Sequence, residues 1–273
     1  NTGSGGASSG TGGGSSGATS STGGNASSGA STGGNASTTG GTTTSSVYFT
    51  DTVELSRVMQ LTLSGRYDRT TVDNEDNITA AGEPGSLTAK HRFSRFNPAI
   101  GVTFNPSEGL SGYIGYTEGS RAPSSIELGC ADPENPCRLP NAMAGDPPLN
   151  QVVTRTMEVG ARGRVAKHLA WNIGVFRADN RDDILFVADD TSGFGYFKNF
   201  GKTRRQGVEL GASSQLGPWY VRANYTYLNA TYRSREELLG EGNSSNEEGP
   251  GFEGTIDVEP GDRIPLTPRH ILK

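Results

Sequence analysis

Hydrophobic and polar residues alternate one by one along most of the chain from residue 47 onward. The clearest case is residues 59–68, where the two kinds of residue occupy opposite faces. One face carries Met59, Leu61, Leu63 and Tyr67, and the other carries Gln60, Thr62, Ser64 and Arg66. A repeat of two is typical of a β-strand, and the spacing of an amphipathic helix is absent from the sequence. The pattern predicts an all-β chain.

The connections between the predicted strands differ in length in a regular way. Four short turns are expected at residues 56–57, 105–109, 166–167 and 216–217, and they alternate with four long polar loops at 71–91, 120–151, 183–196 and 234–261. Short turns at one end and long loops at the other are typical of an outer-membrane β-barrel, whereas a soluble β-sandwich does not sort its loops this way. The predicted strands lie near residues 47–55, 58–70, 92–105, 110–119, 152–165, 168–182, 197–215, 218–233 and 262–273.

The charged residues indicate which face of each strand meets lipid. Arg66 at the middle of the bilayer would cost about 2–4 kcal/mol, so the face with Gln60, Thr62, Ser64 and Arg66 is expected to line a wet lumen. Aromatic residues are expected to form girdles near the strand ends, and these are Phe104, Trp219, Tyr67, Tyr116 and Tyr232. The pattern alone leaves a soluble sheet with one polar face as an alternative.

The number of predicted strands is odd. Bacterial single-chain barrels normally have an even number, and an open barrel would leave unpaired edges. The ninth predicted strand also runs to Lys273, the last residue. We therefore interpret residues 47–273 as a partial outer-membrane β-barrel, an arc of a larger antiparallel transmembrane barrel with short periplasmic turns and long extracellular loops.

Residues 1–46 contain only Asn, Thr, Gly, Ser and Ala. Such a tract buries too little apolar surface to offset its ordering entropy, so we expect a flexible linker or a long surface loop. The whole chain has 32% hydrophobic residues and a net charge of −5, which gives no basic footprint for nucleic acid.

Several short motifs make the chain resemble the barrel of the TonB-dependent outer-membrane receptors. They occur in the order in which that family has them, and together they cover residues 48–273. The motifs are Tyr48–Leu55 with the Gly-Arg-Tyr-Asp element at 65–68, Arg-Ala-Pro at 121–123, Glu-x-Gly-x-Arg at 158–162, Asn199–Gly201 with Gly-Val-Glu at 207–209, and Pro-Leu-Thr-Pro-Arg-His at 265–270.

The resemblance implies a large plugged barrel of about 22 strands in the bacterial outer membrane. It implies import of a scarce nutrient, most often a ferric siderophore and otherwise cobalamin or a glycan. It also implies partnership with TonB and its inner-membrane motor, the lipid bilayer and a small-molecule ligand such as a metal chelate. The plug, the TonB box and the C-terminal strand of the family have no counterpart in these 273 residues, and no cofactor is expected.

Cys130 and Cys137 lie in the predicted long loop 120–151, separated by six residues. Two cysteines in a surface loop of an oxidising compartment indicate a disulfide. A metal site would need further ligands, and His91 and His168 belong to other segments. We therefore expect a disulfide and no metal.

Four basic residues near the predicted extracellular loops are candidates for contact with an anionic ligand. They are Arg121, Lys202, Arg204 and Arg205; pairing with nearby aspartates is the alternative for the last three, and a structural role at the strand end is the alternative for the first. No catalytic motif is found, so an enzyme is not expected. A cell-surface adhesin with the low-complexity tract as a stalk is a further alternative, although it would not account for the alternating loops.

Overall fold

The computed structural model describes residues 19–22, 38–77, 80–83, 86, 88–129, 149–165, 168–188, 195–239 and 255–273. Twelve strands and one short helix fall within these residues. In chain order they are β1 Thr19–Thr22, β2 Thr38–Ser56, β3 Met59–Asp76, β4 Ala89–Ser107, β5 Leu110–Arg121, α1 Ser125–Gly129, β6 Val152–Val165, β7 Leu169–Ala188, β8 Gly195–Leu216, β9 Trp219–Tyr232, β10 Glu236–Leu239, β11 Thr255–Val258 and β12 His270–Leu272. None of the helices among the described residues has the length and apolar character to cross a membrane.

Ten of the strands form a single sheet in the order β1-β2-β3-β4-β5-β6-β7-β8-β9-β12, and β10 and β11 form a separate hairpin. Neighbouring strands are antiparallel throughout, and each large strand is followed in space by the next one in sequence. This up-and-down meander is the topology of a barrel wall, and the sheet is not closed within the described residues. We call the end with the connections at 57–58, 108–109 and 217–218 the turn end, and the opposite end the loop end.

The register places like residues side by side across the sheet. Val53, Leu61, Val102, Ile114, Val159, Val175, Val208 and Tyr227 form one apolar row. The next row toward the loop end on the opposite face begins with Thr52, Thr62, Gly101 and Gly115. Ile114 and Val159 are 59% and 52% exposed, as expected for side chains that face lipid.

The polar face is the concave one. Helix α1 contacts β2, β3 and β8 together, and β3 and β8 are five strands apart in the sheet. Its Ser125 hydroxyl donates to Oδ1 of Asn74, which shares the face of Thr62 and Arg66 because all three are at even positions of β3. An apolar cluster of Val72, Leu128, Leu149, Val152 and Ile184 fixes α1 against this face. The prediction that Gln60, Thr62, Ser64 and Arg66 point to the lumen is therefore confirmed.

Eight of the nine predicted strands are present, and several extend further toward the loop end; the ninth is a strand only at residues 270–272. β7 and β8 have 20 and 22 residues, so at about 3.3 Å per residue they greatly exceed the 9–11 residues that span a bilayer. Residues 183–188 and 195–196, which were predicted to be part of a long loop, belong to these strands. Their apolar residues, such as Ile184 and Leu185, pair with the neighbouring strand and pack in clusters instead of facing solvent.

The boundary of the low-complexity tract is corrected for its last residues. β2 begins at Thr38, and residues 38–46 pair with 68–76 of β3 although they were predicted to be flexible. Threonine has a high strand propensity, and hydroxyl pairs such as Thr44 with Thr70 (3.0 Å) join the two strands. Residues 19–22 also pair with 45–48 of β2. The remainder of the tract lies outside the described residues.

The last predicted strand, 262–273, is paired with β9 mainly at residues 270–272. Pro265 and Pro268 have no N–H group for a ladder, and Leu266 has a left-handed φ of 56°. Tyr232 also differs from its predicted place in an aromatic girdle. It is only 7% exposed and packs against Phe200 and Val258, because the segment with β11 covers this part of β8 and β9.

Candidate functional site in the lumen

A polar cavity of about 610 Å³ lies on the concave face, at the loop end of β2–β5. Its walls come from the strands and from the segment that leads into α1. Hydroxyl and charged side chains dominate the lining: Thr42, Thr44, Ser64, Arg66, Asp68, Thr70, Asn97, Glu118, Ser120, Arg121 and Gln151. The barrel pattern itself places the residues of β2 and β3 and Asn97 here, because they alternate with lipid-facing residues. Glu118 and Ser120 are at even positions of β5, on the face of Ile114 by the register, and they border the cavity beyond the point where β4 and β5 stop pairing.

Arg66 is the central cation of this cavity. Its Nε lies 2.6 Å from Oδ1 of Asp68, and its Nη2 donates to Oγ of Ser46 at 2.9 Å. These contacts fix the direction of the guanidinium, yet the Arg66 side chain remains 56% exposed. Such an oriented and accessible guanidinium is suited to binding the oxygen atoms of an anionic ligand.

Asp68 and Asn97 link Arg66 to the next strands. The Nδ2 of Asn97 donates to Asp68 at 3.0 Å and to Oγ of Ser120 at 3.1 Å. The pairing of β4 with β5 ends at Ala99 and Thr117, and the next residue of β4 is Pro98. Since proline has no N–H group, side chains replace backbone hydrogen bonds above this point. Arg95 does the same, with its Nη2 2.8 Å from Oε2 of Glu118.

Arg121 stands where β5 ends and α1 begins. Its two terminal nitrogens donate to the two carboxylate oxygens of Glu127 at 2.7 and 3.0 Å. Glu127 also accepts from the backbone N–H of Ser124 at 2.7 Å, and the Ser124 hydroxyl accepts from the Glu127 N–H at 3.3 Å. This reciprocal pair is a capping box, and it begins the five-residue α1.

The environment of Glu127 affects its ionisation. Burial alone would raise the pKa of this carboxyl, but the Arg121 guanidinium and the N–H and hydroxyl of Ser124 outweigh the burial and hold the pKa below its ordinary value. Glu127 is therefore a stable anion at neutral pH. The Arg121 side chain is still 52% exposed, so it serves both as a structural end-of-strand residue and as part of the cavity wall.

The other three basic candidates do not share one face of the sheet. Arg205 of β8 lies opposite Ala230 of β9. Its Nη1 is 3.6 Å from Oδ2 of Asp183, and the same oxygen accepts a hydrogen bond from the lumenal Thr203. Lys202 and Arg204 are at even positions of β8, on the face of the lipid-facing Val208. Arg204 forms an ion pair with Asp179 at 2.5 Å. The structure thus brings Arg121 into the cavity, places Arg205 elsewhere on the lumenal face, and separates Lys202 and Arg204 from both.

Cys130 and Cys137 lie outside the described residues, so their disulfide stays a prediction. Arg66 was predicted to face the lumen but was not singled out as a ligand contact; the signal was the Gly-Arg-Tyr-Asp element at 65–68 together with the alternation. Within the described ranges, no group of three or more His, Cys, Asp or Glu side chains is arranged to hold a metal ion.

One model of a known protein family matches almost the whole chain. The model described as "TonB dependent receptor-like, beta-barrel" matches residues 2–273. Among curated proteins, the probable TonB-dependent siderophore receptor PiuA of Acinetobacter baumannii is 26% identical over 189 residues, covering 68% of this chain and 24% of PiuA. The catecholate siderophore receptor Fiu of Escherichia coli K12 is 22% identical over 221 residues, covering 74% of this chain and 28% of Fiu.

Solved structures show the same fold. The closed form of the ferric-catecholate import receptor Fiu from Escherichia coli K12 aligns with a TM-score of 0.58 at 19% identity, over 85% of this chain and 31% of Fiu. The ferric yersiniabactin uptake receptor FyuA from Yersinia pestis aligns with a TM-score of 0.56 at 18% identity, over 86% of this chain and 31% of FyuA. The chain spans about a quarter of the length of the curated relatives it matches.

Proposed function

Because this chain belongs to the TonB-dependent receptor β-barrel family, we propose that it forms part of the wall of a bacterial outer-membrane importer for a ferric siderophore. The family consists of transport receptors, and the relatives named above are siderophore receptors. Import is driven through TonB and its inner-membrane motor. The observation that carries the ligand class is the lumenal cavity with two accessible guanidinium groups at its loop end.

The chemistry of the cavity fits a negatively charged chelate. Ferric complexes of catecholates carry net negative charge and present an outer layer of oxygen atoms. Arg66 and Arg121 are each about half exposed, and threonine and serine hydroxyls surround them. Each arginine is held by a carboxylate, so its position is fixed before a ligand arrives and less entropy is lost on binding.

The proposed site lies at the loop end of the sheet. The strands that bear Arg66 and Arg121 both terminate in the long connections 77–88 and 122–151. In this class of barrel the long loops are extracellular, so a ligand entering from outside meets these residues before it reaches the middle of the lumen. We propose that Arg121 contacts this ligand together with Arg66, and that Arg205 contacts it deeper along β8.

Uptake of radioactive iron tests this function. Cells that lack the gene are complemented with the wild-type gene or with Arg66→Gln, in strains with and without TonB, and are supplied with ferric catecholate or ferric hydroxamate chelates. We expect TonB-dependent uptake of one chelate class and a loss of about tenfold or more at low ligand concentration for Arg66→Gln, since a hydrogen bond to a charged group is worth about 1.5–3 kcal/mol.

Arg57→Gln is the matched control, because Arg57 lies in the turn between β2 and β3 at the far end of the sheet. Surface amounts of each variant are equalised by immunodetection. Uptake that does not change when the gene or TonB is removed would exclude the proposed function. Equal uptake by Arg66→Gln and Arg57→Gln would exclude the lumenal cavity as the ligand site.

A further inference from the structure

The outer face of β5–β9 changes character within one step of the register. One row of paired residues is apolar and consists of Ile114, Val159, Val175, Val208 and Tyr227. Four of them, Ile114, Val159, Val175 and Tyr227, are 37–59% exposed. Two residues further toward the loop end, about 7 Å along each strand, the row contains Tyr116, Met157, Arg177, Gln206 and Asn229. The apolar band therefore ends here on β7–β9, whereas on β6 it continues through Met157, which is 61% exposed, and ends before Arg155.

The edge of the apolar band runs diagonally across the sheet. On β2–β4 the apolar residues Val47, Tyr67 and Phe96 lie in one row and are 52%, 48% and 50% exposed. This row lies six residues, or three steps, further toward the loop end than the apolar row on β5–β9. Such an offset is expected when strands are tilted relative to the membrane, because a level boundary then crosses the paired rows at an angle. The band edge on β6–β8 is thus the membrane boundary on the loop side.

Basic residues crowd immediately beyond this boundary. We call Arg155, Arg177, Arg181, Lys202 and Arg204 the basic belt; all lie on the lipid-facing side of β6, β7 and β8 by the register. By the register the carboxylates on the same face of β5–β8, within the described residues, are Glu118, Asp179 and Asp183, and of these Asp183 turns to the lumenal Thr203 and Arg205 instead of the belt. The belt therefore carries an excess of about three positive charges at the height where lipid headgroups lie.

The ion pairs within the belt leave much of each arginine available. Arg177 and Arg204 both direct Nε to Asp179, at 2.8 and 2.5 Å, and Nε of Arg155 lies 3.0 Å from Glu118. The terminal nitrogens of these three guanidinium groups have no partner in the described part of the chain, and Lys202 has no side-chain partner there either. Asp179 thus holds two arginines side by side, and the terminal nitrogens of both guanidinium groups are available to a ligand.

From this arrangement we propose that the basic belt binds the phosphate groups of lipid A in the outer leaflet of the outer membrane. A guanidinium fork binds phosphate oxygens in pairs, and lipid A carries phosphates directly above its acyl chains. The exposed row of Ile114, Val159 and Val175 would contact those chains at the same time. Position, charge and the adjoining apolar row favour this lipid over a protein partner. The inference rests on placement in the outer membrane and not on what is imported.

Binding of purified lipid A to the full-length receptor in detergent tests the proposal. Native mass spectrometry or calorimetry compares bisphosphorylated with dephosphorylated lipid A, for the wild type and for the triple variant Arg177→Gln, Lys202→Gln, Arg204→Gln. We expect the wild type to bind the bisphosphorylated form at least tenfold more tightly, and the triple variant to lose at least tenfold of that affinity, since each basic residue near an anionic lipid surface contributes about 1 kcal/mol. No imported ligand is present, so failure of import does not affect the result.

The matched control is Arg162→Gln, Arg164→Gln, Arg222→Gln, which removes the same charge from the lumenal face. We expect its lipid affinity to equal that of the wild type. The single variant Lys202→Gln breaks no side-chain contact in the described residues, so it folds, and it should lose severalfold in affinity. Equal binding of the two lipid A forms, or equal loss in the belt and lumenal variants, would overturn the proposal. The proposal would also be overturned if the wild type bound no lipid A but co-purified with a protein that is absent from preparations of the belt variant.

Discussion

Asn97 reaches from β4 to Ser120 of β5 beyond the point where the two strands stop pairing. Its Nδ2 lies 3.1 Å from Oγ of Ser120 and 3.0 Å from Oδ2 of Asp68. The backbone ladder between the two strands ends at the pair of Ala99 and Thr117, and Pro98 lies between this pair and Asn97. A buried side-chain amide thus joins three strands where proline has removed a backbone donor.

Replacing Asn97 by alanine should lower the free energy of unfolding of the barrel by about 1–3 kcal/mol. The change removes two hydrogen bonds, one of them to a carboxylate, and Asn97 is only 8% exposed, so water replaces it poorly. The midpoint of urea unfolding in detergent micelles, followed by the change in gel mobility of the folded barrel, provides the measurement.

Asn224→Ala is the control for this experiment. Asn224 is an exposed asparagine of β9 whose backbone groups bond to Lys273, while its side chain has no hydrogen-bond partner among the described residues. Its substitution should change the unfolding free energy by less than about 0.5 kcal/mol. If both variants unfold at the same urea concentration, Asn97 does not join the strands as described.

Gly207 and Gly101 occupy the same lumenal row but should respond differently to alanine. A Cβ at Gly207 would collide with the backbone oxygen of Tyr227, whereas a Cβ at Gly101 would lie 3.7 Å from its nearest neighbour, the oxygen of Ile114. Because a backbone atom of a paired strand yields little, we expect Gly207→Ala to destabilise the barrel by about 1–3 kcal/mol and Gly101→Ala to be nearly neutral. Thermal unfolding of the two variants side by side distinguishes them; an equal midpoint would contradict the prediction.

The strands were predictable because the membrane imposes a rule on every residue of a strand. When one face of a strand meets lipid and the other meets water, an alternation such as Leu61, Thr62, Leu63 and Ser64 identifies both the strand and the face that each side chain occupies. The upper halves of β7 and β8 leave the membrane, and there this rule no longer applies. Residues 183–188 lack regular alternation, and only their pairing with 195–200 shows that they are strands.

The lumenal site was predictable in part. The face of Arg66 follows from the alternation, but its proximity to Arg121 depends on how β3, β4 and β5 align, which no local pattern reveals. Arg204 and Arg205 were both predicted as candidates for contact with an anionic ligand, although neighbouring residues of a strand point in opposite directions and the two therefore lie on opposite faces. Helix α1 has a sequence signal in the capping box of Ser124 and Glu127, but its five residues are too few to show a helical repeat.

The predicted disulfide between Cys130 and Cys137 can be tested on the purified receptor. We expect a protease digest without reduction to contain one linked peptide with both cysteines, because six intervening residues allow easy closure in an oxidising space. Reduction should then separate the halves with a mass gain of two hydrogens. Alkylation of both thiols in the unreduced native protein would contradict the prediction.

The ion pair of Arg121 with Glu127 should make the position of α1 sensitive to acid. The folded state holds the pKa of Glu127 below its ordinary value of 4.5, so the carboxylate stabilises α1 fully above that value. As the pH falls through the lowered pKa, the carboxyl takes up a proton and the stabilisation is lost. Glu127→Gln should imitate the protonated form at every pH, with a local cost of about 1 kcal/mol, as for loss of a helix cap.

Hydrogen exchange of the Leu128 amide, which bonds to the oxygen of Ser124 at 3.0 Å, reports on this equilibrium. After correction for the intrinsic effect of pH on exchange, the wild type should show less protection at pH about 3 than at pH about 6. Glu127→Gln should show the lower protection at both values, and Glu108→Gln, in the turn between β4 and β5, should behave as the wild type. Protection of Leu128 that stays constant in the wild type between these pH values would mean that α1 is held by the packing of Leu128 alone, without help from the ion pair.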